Sequence, residues 1–325
     1  MVRVRCFFLN NSTSTKLTNS SGELDSFQTK PSVSNAIGNT TLVKISNGLY
    51  AKLESSNPSG SIKDRMAKHL LNLAEERNEL KEGGTIIEAT SGNTGIAFSM
   101  LAAERGYRMI AVMPKNMSEE RKMMIRAFGG EIIEVGNNDF EGAVEHRDQL
   151  VQELSAFCPN QFENVDNIDC HYVTTGQEII QQVRGLNLDQ KISAFVAGTG
   201  SGGTLMGVRK ALVEVYPDVE IVAVEPTESA VMSGKEPGEH MIQGIGDGFI
   251  PPVVDMNFVD KIETVSSQES IARMHRLTRE LGLMVGISSG AHVLSAEKYI
   301  EKYQPDGIVV TILCDRQERY FSLIN

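Results

Sequence analysis

Two periodicities alternate along the chain. Short, mostly apolar runs rich in Ile, Val and Ala are followed by longer stretches in which apolar positions return at helical spacing, the signatures of buried strands and of helices with one covered face. Residues 41–45 and 49–53 read as strands around the turn Ser46-Asn47-Gly48, close enough to pair as a hairpin. The turn Asn57-Pro58-Ser59-Gly60 then leads into a segment where Ile62, Met66, Leu70 and Leu73 share one face. Ser61 and Asp64 there have the spacing of a capping box, which predicts a helix from near Ser61. Further strands are expected at 85–89, 108–113 and 131–135, with helices at 96–105, 118–128 and 140–157 between and after them. The polar stretch 158–169 interrupts the alternation and reads as a crossover between domains. Beyond it, a helix is expected to start at Thr174-Thr175-Gly176, followed by strands at 193–197, 220–224, 261–265 and 307–313, and helices from 204 to 216 and over 270–281. Gly286-Ile287-Ser288-Ser289-Gly290 reads as a turn before a last helix ending near Tyr303. Strands alternating with helices in this way predict an α/β fold of parallel sheets covered by helices.

Length sharpens that picture. A chain of 325 residues exceeds what one core usually supports, so two domains sharing a cleft are expected. The net charge of −11 opposes a polyanion partner, and no Lys/Arg run overrides it, which argues against nucleic acid and anionic membranes. No apolar run reaches the ~18 residues needed to span a bilayer. Cys6, Cys158, Cys170 and Cys314 are scattered without CxxC pairs, so no metal site and no disulfide framework is expected, and a reducing, cytoplasmic setting fits. Residues 1–32, rich in Ser, Thr and Asn with Arg3, Arg5 and Lys16 and no acid before Glu23, read as a disordered tail, with an organelle transit peptide as the alternative.

The candidate chemistry lies in the loops. Lys63 falls in the first turn of its helix, where the positive end of the helix dipole and any desolvation lower its pKa and favour the free amine that forms an imine with an aldehyde. A solvated surface lysine is the bland alternative. Thr90-Ser91-Gly92-Asn93-Thr94-Gly95 joins a strand to a helix, so several backbone N–H groups converge with hydroxyls on one spot suited to a carboxylate or phosphate. Gly198-Thr199-Gly200-Ser201-Gly202-Gly203-Thr204 is a second anion loop. It also scans as G-x-G-x-x-G, with Glu225 ending the next strand, which keeps an NAD-binding dinucleotide fold as a rival. Residues 226–253 form a long Gly/Pro-rich loop containing Gly244-Ile245-Gly246-Asp247-Gly248-Phe249, and loops of this length usually line a site.

Asn57 to Arg65, Thr90 to Gly95, Gly200 to Thr204 and Gly286 to Gly290, in this order, resemble the motifs of pyridoxal-phosphate enzymes of fold type II, in the cysteine synthase/cystathionine β-synthase family, over about residues 33–322. The resemblance implies two parallel-sheet domains of the tryptophan synthase β-like fold, one over 56–164 and one over 33–55 with 165–325, and an active site in the cleft between them. It implies that Lys63 holds the cofactor as an imine, that Asn93 bonds the ring's 3′ oxygen, that Gly200, Ser201, Gly202, Gly203 and Thr204 cradle the phosphate, and that Ser288 faces the pyridine nitrogen. Thr90, Ser91, Gly92 and Thr94 with Gln161 would bind the substrate carboxylate, Gly244 and Ile245 would border the substrate, and the segment after Gly95 would close over it. The implied reaction is a β-replacement in which sulfide displaces acetate from O-acetyl-L-serine by way of an aminoacrylate, carried out by a homodimer. Cystathionine β-synthase, using serine and homocysteine, is the alternative on the same scaffold, and a catalytically idle binding protein is another. Residues 88–135 and 314–320 resemble the B-type sulfhydrylases and 198–204 and 244–249 the A type, so sulfide and thiosulfate both stand as sulfur donors. Asp247 and the tail have no counterpart in this picture.

Overall fold

The computed structural model describes residues 32–137, 139–186 and 191–324, so the reading of the N-terminal tail lies, but for Ser32, outside the described residues. The chain runs through β1 (Leu42–Ser46), β2 (Leu49–Leu53), α1 (Lys63–Glu76), β3 (Thr85–Ala89), α2 (Asn93–Arg105), β4 (Arg108–Pro114), α3 (Glu119–Ala127), β5 (Glu131–Val135), α4 (Phe140–Leu154), α5 (Asp166–His171) and α6 (Gln177–Gly185). It continues through β6 (Ile192–Gly198), α7 (Gly203–Val213), β7 (Glu220–Pro226), β8 (Lys261–Val265), α8 (Ser267–Leu281), α9 (Ile287–Tyr303), β9 (Ile308–Leu313) and α10 (Phe321–Ile324).

Two sheets result. One has the order β1-β2-β9-β6-β7-β8, with β1 antiparallel to β2 and the other pairs parallel, and the other is the parallel sheet β3-β4-β5. The strands read as continuous apolar runs because both faces are covered. Ala194 and Val196 of β6 join Val224, Val309 and the α9 residues Ala291 and Val293, whereas Phe195 and Ala197 join Val310 and the α7 residues Leu205 and Val208 on the other face. The small sheet repeats this, with Ile86 and Ala111 packing beneath α1 and α2 and Ile87 and Val112 beneath α4. No described helix is long and apolar enough to cross a membrane.

Three local expectations are corrected. Helix α1 begins at Lys63, and no capping box forms: Ser61 Oγ takes only the Lys63 N–H at 3.3 Å, while the Asp64 carboxylate turns back to the Ser59 N–H at 2.7 Å and the Ser59 hydroxyl. The helix expected to start at 174 is already under way at Asp166, and Thr174-Thr175-Gly176 belongs to a π-helical turn, Tyr172–Gly176, between α5 and α6. Most of the turn expected at 286–290 is instead the first turn of α9, with Gly286 extended as its N-cap (ψ 177°).

Candidate active site

Parallel strands deliver their carboxyl ends to the amino ends of the helices that follow, and one cavity collects several such junctions. Lys63, Asn93, Ser201 and Ser288 line it together.

Lys63 is the first residue of α1 and donates from Nζ to Ser201 Oγ at 3.2 Å. Burial lowers its pKa, against the opposing pull of Cys314, Asp247 and Glu88, so the neutral amine is favoured. Asp64 and Arg319 anchor the turn before it: Arg319 donates to the carbonyls of Gly60 at 3.0 Å and Ser59 at 2.5 Å. Burial raises Asp64 to about 6.

The loop between β3 and α2 brings Ser91, Asn93 and Thr94 to the cavity wall. Thr90 lies behind it, its Oγ1 accepting the N–H groups of Gly92 at 2.9 Å and Gly95 at 3.4 Å, so it shapes the loop instead of facing the cavity. Gly92 also stays off the wall. With φ of 137° and Arg121 Cδ only 2.3 Å from where a Cβ would sit, it admits no other residue. Thr94 donates to Gln161 Oε1 at 2.8 Å, and Gln161 donates to Ala89 O at 3.2 Å, which ties the crossover stretch to this loop. Glu88 accepts the Gln161 N–H at 3.1 Å, and burial raises its carboxyl to about 7.

Gly200, Ser201, Gly202 and Thr204 line the opposite wall, with Gly203 just behind. A Cβ on Gly203 would meet Asn167 Oδ1 at 2.1 Å, and one on Gly200 would meet the Gly244 carbonyl at 2.2 Å, so this loop is compressed between its neighbours. Asn167 donates to Ser201 Oγ at 3.0 Å, and Thr204 Oγ1 stands 3.2 Å from Nε2 of His171, whose imidazole burial keeps neutral, well below its ordinary pKa. The Gly246 N–H donates to Thr199 O at 3.2 Å and holds the 244–248 loop alongside, bringing Gly244, Ile245 and Asp247 to the cavity. Ser288, in the first turn of α9, completes the wall beside Cys314.

The same geometry removes the dinucleotide rival. Glu225, its ribose-binding acid, already accepts the N–H groups of Met232 at 2.8 Å and Ser233 at 3.0 Å.

Several site residues escaped sequence reasoning. Arg121 of α3 is fully buried and donates to Ser91 O at 2.9 Å, to Gln243 Oε1 at 2.6 Å and to the Tyr320 hydroxyl at 2.7 Å. Tyr320, which burial keeps protonated, donates in turn to Asp315 Oδ2 at 2.6 Å, and that oxygen also takes Nδ2–H of Asn93 at 2.6 Å. A carboxylate can only accept, so the Asn93 amide is held in one orientation, and its Oδ1 is buried without a partner among the described residues. No local signal marks Arg121 among the charges of its helix, since every partner is distant in sequence.

A small phosphorylated pyridine aldehyde fits this donor set. The glycine loop runs into the amino end of α7 as an anion cradle, a low-pKa amine faces it, and one buried amide oxygen and one hydroxyl await ring atoms.

Comparison with known proteins agrees. Residues 33–315 match the family model described as pyridoxal-phosphate dependent enzyme. A cysteine synthase of Staphylococcus aureus (strain Mu50 / ATCC 700699) is 41% identical over 298 residues, covering 89% of this chain and 95% of the relative. The structure of an O-acetylserine dependent cystathionine β-synthase from Helicobacter pylori superposes with a TM-score of 0.84 at 37% identity, covering 90% of this chain and 97% of that one. A cysteine synthase (OASS) from Entamoeba histolytica superposes with a TM-score of 0.83 at 34% identity, over 98% of this chain and 93% of the other.

Proposed function

The chain belongs to the pyridoxal-phosphate-dependent enzymes, and from that premise we propose that it makes L-cysteine and acetate from O-acetyl-L-serine and sulfide. The observation that carries this reading is the Lys63 amine, 3.2 Å from Ser201 Oγ and set between the glycine cradle and the Ser91–Thr94 wall in one cavity. Bound there, the cofactor supplies an aldehyde for amine exchange and an electron sink for the bond broken at the substrate Cα.

The residues divide the rest of the work. Gly200 to Thr204 hold the phosphate through backbone N–H groups and two hydroxyls. Asn93 contacts the ring oxygen and Ser288 the pyridine nitrogen. Ser91, Thr94 and Gln161, with the N–H groups at the start of α2, bind the substrate carboxylate. Lys63 takes the Cα proton; the electron pair left behind forms the Cα–Cβ double bond as acetate departs, sulfide adds at Cβ, and Lys63 returns the proton to Cα. Within the domain of residues 56–164, the segment after Gly95 closes over the substrate. The protein works as a homodimer in a reducing, cytoplasmic setting, the latter a reading that rests on four scattered cysteines without CxxC pairs.

A second reading, serine with homocysteine, is favoured by one observation: Asp247 brings a carboxylate to the cavity, able to receive homocysteine's ammonium. Assaying the purified protein with O-acetylserine plus sulfide against serine plus homocysteine decides between them. The first pair is expected to give the higher kcat/KM, because acetate leaves far more readily than hydroxide. Equal or better turnover of the second pair would move the protein to the cystathionine branch.

A further inference from the structure

The large sheet splits along its middle where the cavity opens. β6 stays paired with β7 as far as Gly198↔Val224, and β9 stays paired with β2 as far as Leu53↔Leu313. Between β6 and β9 themselves the ladder ends earlier, at Val196↔Thr311. Thr199 donates to Val224 O on the β7 side, so the Gly198 N–H points toward β9. Continued in the same register, this parallel pair would next join that N–H to the Ile312 carbonyl. The side chain of His292 occupies the missing rung instead: its Nε2 accepts the Gly198 N–H at 2.8 Å, and its Nδ1 donates to Ile312 O at 3.0 Å.

The ring is fitted to this place. His292 is 1% exposed and sits between Ala291 and Val293 of the apolar core, where a polar ring is tolerated only with both nitrogens satisfied. An N–H only donates and a carbonyl only accepts, so the imidazole is neutral with its proton on Nδ1. Burial favours the same form, pulling the pKa down to about 4 against the Ile312 bond and the charge of Asp315. Gly198 is matched to the ring, since a Cβ there would stand 2.5 Å from Nε2. The two strand ends held apart in this way both feed the cavity. β6 runs into the glycine loop, and β9 runs into Cys314 and Asp315, whose carboxylate holds the Asn93 amide. Ser288 lies one turn before His292 on α9, and Gly198, His292 and Ile312 line the cavity with Lys63.

Resting on the cofactor assignment of the preceding section, we propose that His292 is a positioning residue: inserted as a rung between β6 and β9, its imidazole sets the distance between the loop that holds the phosphate and the side chains that face the pyridine ring. With the ring gone, the Gly198 N–H and Ile312 O are left either unpaired or free to bond directly, as the strands do two residues earlier. Either way the glycine loop shifts relative to Asn93 and Ser288, and a ligand spanning both loses its fit.

The test compares the holoenzyme with His292→Gln and His292→Phe. Gln keeps an acceptor for the Gly198 N–H and gives up at most the bond to Ile312, so its retention of pyridoxal phosphate is expected to stay within about tenfold of the parent. Phe fills the space with neither bond, and a displacement of the strand ends by ~1 Å is expected to weaken retention about 100-fold. Retention is read from the visible absorbance of the bound cofactor on serial dilution. A Gln variant that loses as much as the Phe variant would overturn the assignment, because a role in filling space alone does not separate the two. A second measurement does not depend on the Phe variant folding. In the ¹⁵N NMR spectrum of the histidine-labelled holoenzyme near neutral pH, the signal missing from the Gln variant is expected to be a neutral ring protonated at Nδ1. A charged ring, or one protonated at Nε2, would contradict the inserted rung. If the parent binds the cofactor and the Phe variant holds it equally well, this inference alone fails. If the parent shows the expected tautomer but takes up no pyridoxal phosphate, the cofactor assignment fails.

Discussion

Replacing Gly200 by Ala tests the anion cradle at its tightest point. The added Cβ would lie 2.2 Å from the Gly244 carbonyl oxygen, a backbone atom that cannot swing aside as a side-chain tip could. Gly244 is not free to retreat, because the Gly246 N–H two residues on is bonded to Thr199 O at 3.2 Å, within the same loop as Gly200. The two loops must therefore separate by ~1 Å, a misplacement large enough to cost about 10²-fold where contact geometry matters. If one charge-assisted bond to the phosphate is lost, the effect is about 1.5–3 kcal/mol, or roughly 10- to 100-fold weaker cofactor retention. Titrating the apoprotein with pyridoxal phosphate and following the visible absorbance of the bound form measures this directly. Thermal unfolding of the apoprotein separates it from a general loss of stability, and Gly185→Ala, with nothing within 4 Å of the new atom, serves as the neutral control. Cofactor affinity in Gly200→Ala equal to that of the parent would refute both the cradle and the steric argument.

Three further outcomes follow from the same geometry. Lys63→Ala is expected to lose borohydride-stable attachment of the cofactor along with turnover, and mass spectrometry of the reduced protein checks it; a retained label would place the reactive amine elsewhere. In the proposed reading Ser288 faces the pyridine nitrogen, so Ser288→Asp would keep that nitrogen protonated, favour side reactions at Cα and slow loss of the β-substituent; an undiminished single-turnover rate with O-acetylserine would remove Ser288 from this role. Glu178, bonded to Arg65 at 2.7 Å and Lys52 at 2.6 Å, is held down to about 2 despite partial burial, because its two cations outweigh the desolvation. A depressed carboxyl contributes stability above its unfolded pKa and loses it as pH falls through the folded value. Denaturant unfolding of the parent should therefore lose about 3 kcal/mol between pH ~4.5 and ~2, with a flatter profile in Glu178→Gln, and parallel profiles would contradict the assignment.

What could be read in the chain beforehand was whatever is encoded locally. Strands β2, β3, β5 and β8 fall on the residues expected of them, because apolar runs between turns leave few alternatives. The anion loops stood out for a related reason: small residues and hydroxyls concentrated at a strand-to-helix junction have chemistry on their face. The Ser61–Asp64 spacing misled because a carboxylate three residues after a serine can serve the helix or turn back, and the buried Ser59 offered two donors at once. Charges buried by distant partners were illegible. Arg65 and Lys52 reach Glu178 across 113 and 126 positions, and Arg121 meets Tyr320 across 199. Each reads as a surface charge until the partner arrives, since nothing in its own neighbourhood distinguishes a solvated residue from one whose burial is compensated elsewhere.

The electrostatics of the cleft follow from topology more than from its few charged side chains. Lys63 opens α1, Asn93 opens α2, the Gly203-Thr204 pair opens α7 and Ser288 lies in the first turn of α9, so four helices present their amino ends to one cavity. Each contributes a partial positive charge and unpaired N–H groups. Together they favour the phosphate of the cofactor and the carboxylate of the substrate, and they oppose a protonated Lys63 in the same place. Desolvation acts on the lysine in the same direction. An anion entering the cavity weakens that field, so Lys63 is the poorer base before the cofactor and substrate arrive and the better one once their negative charges are seated. In the proposed reaction, the free amine needed to take up the aldehyde and the stronger base needed to take the Cα proton would thus be drawn from one residue by the order in which the ligands bind.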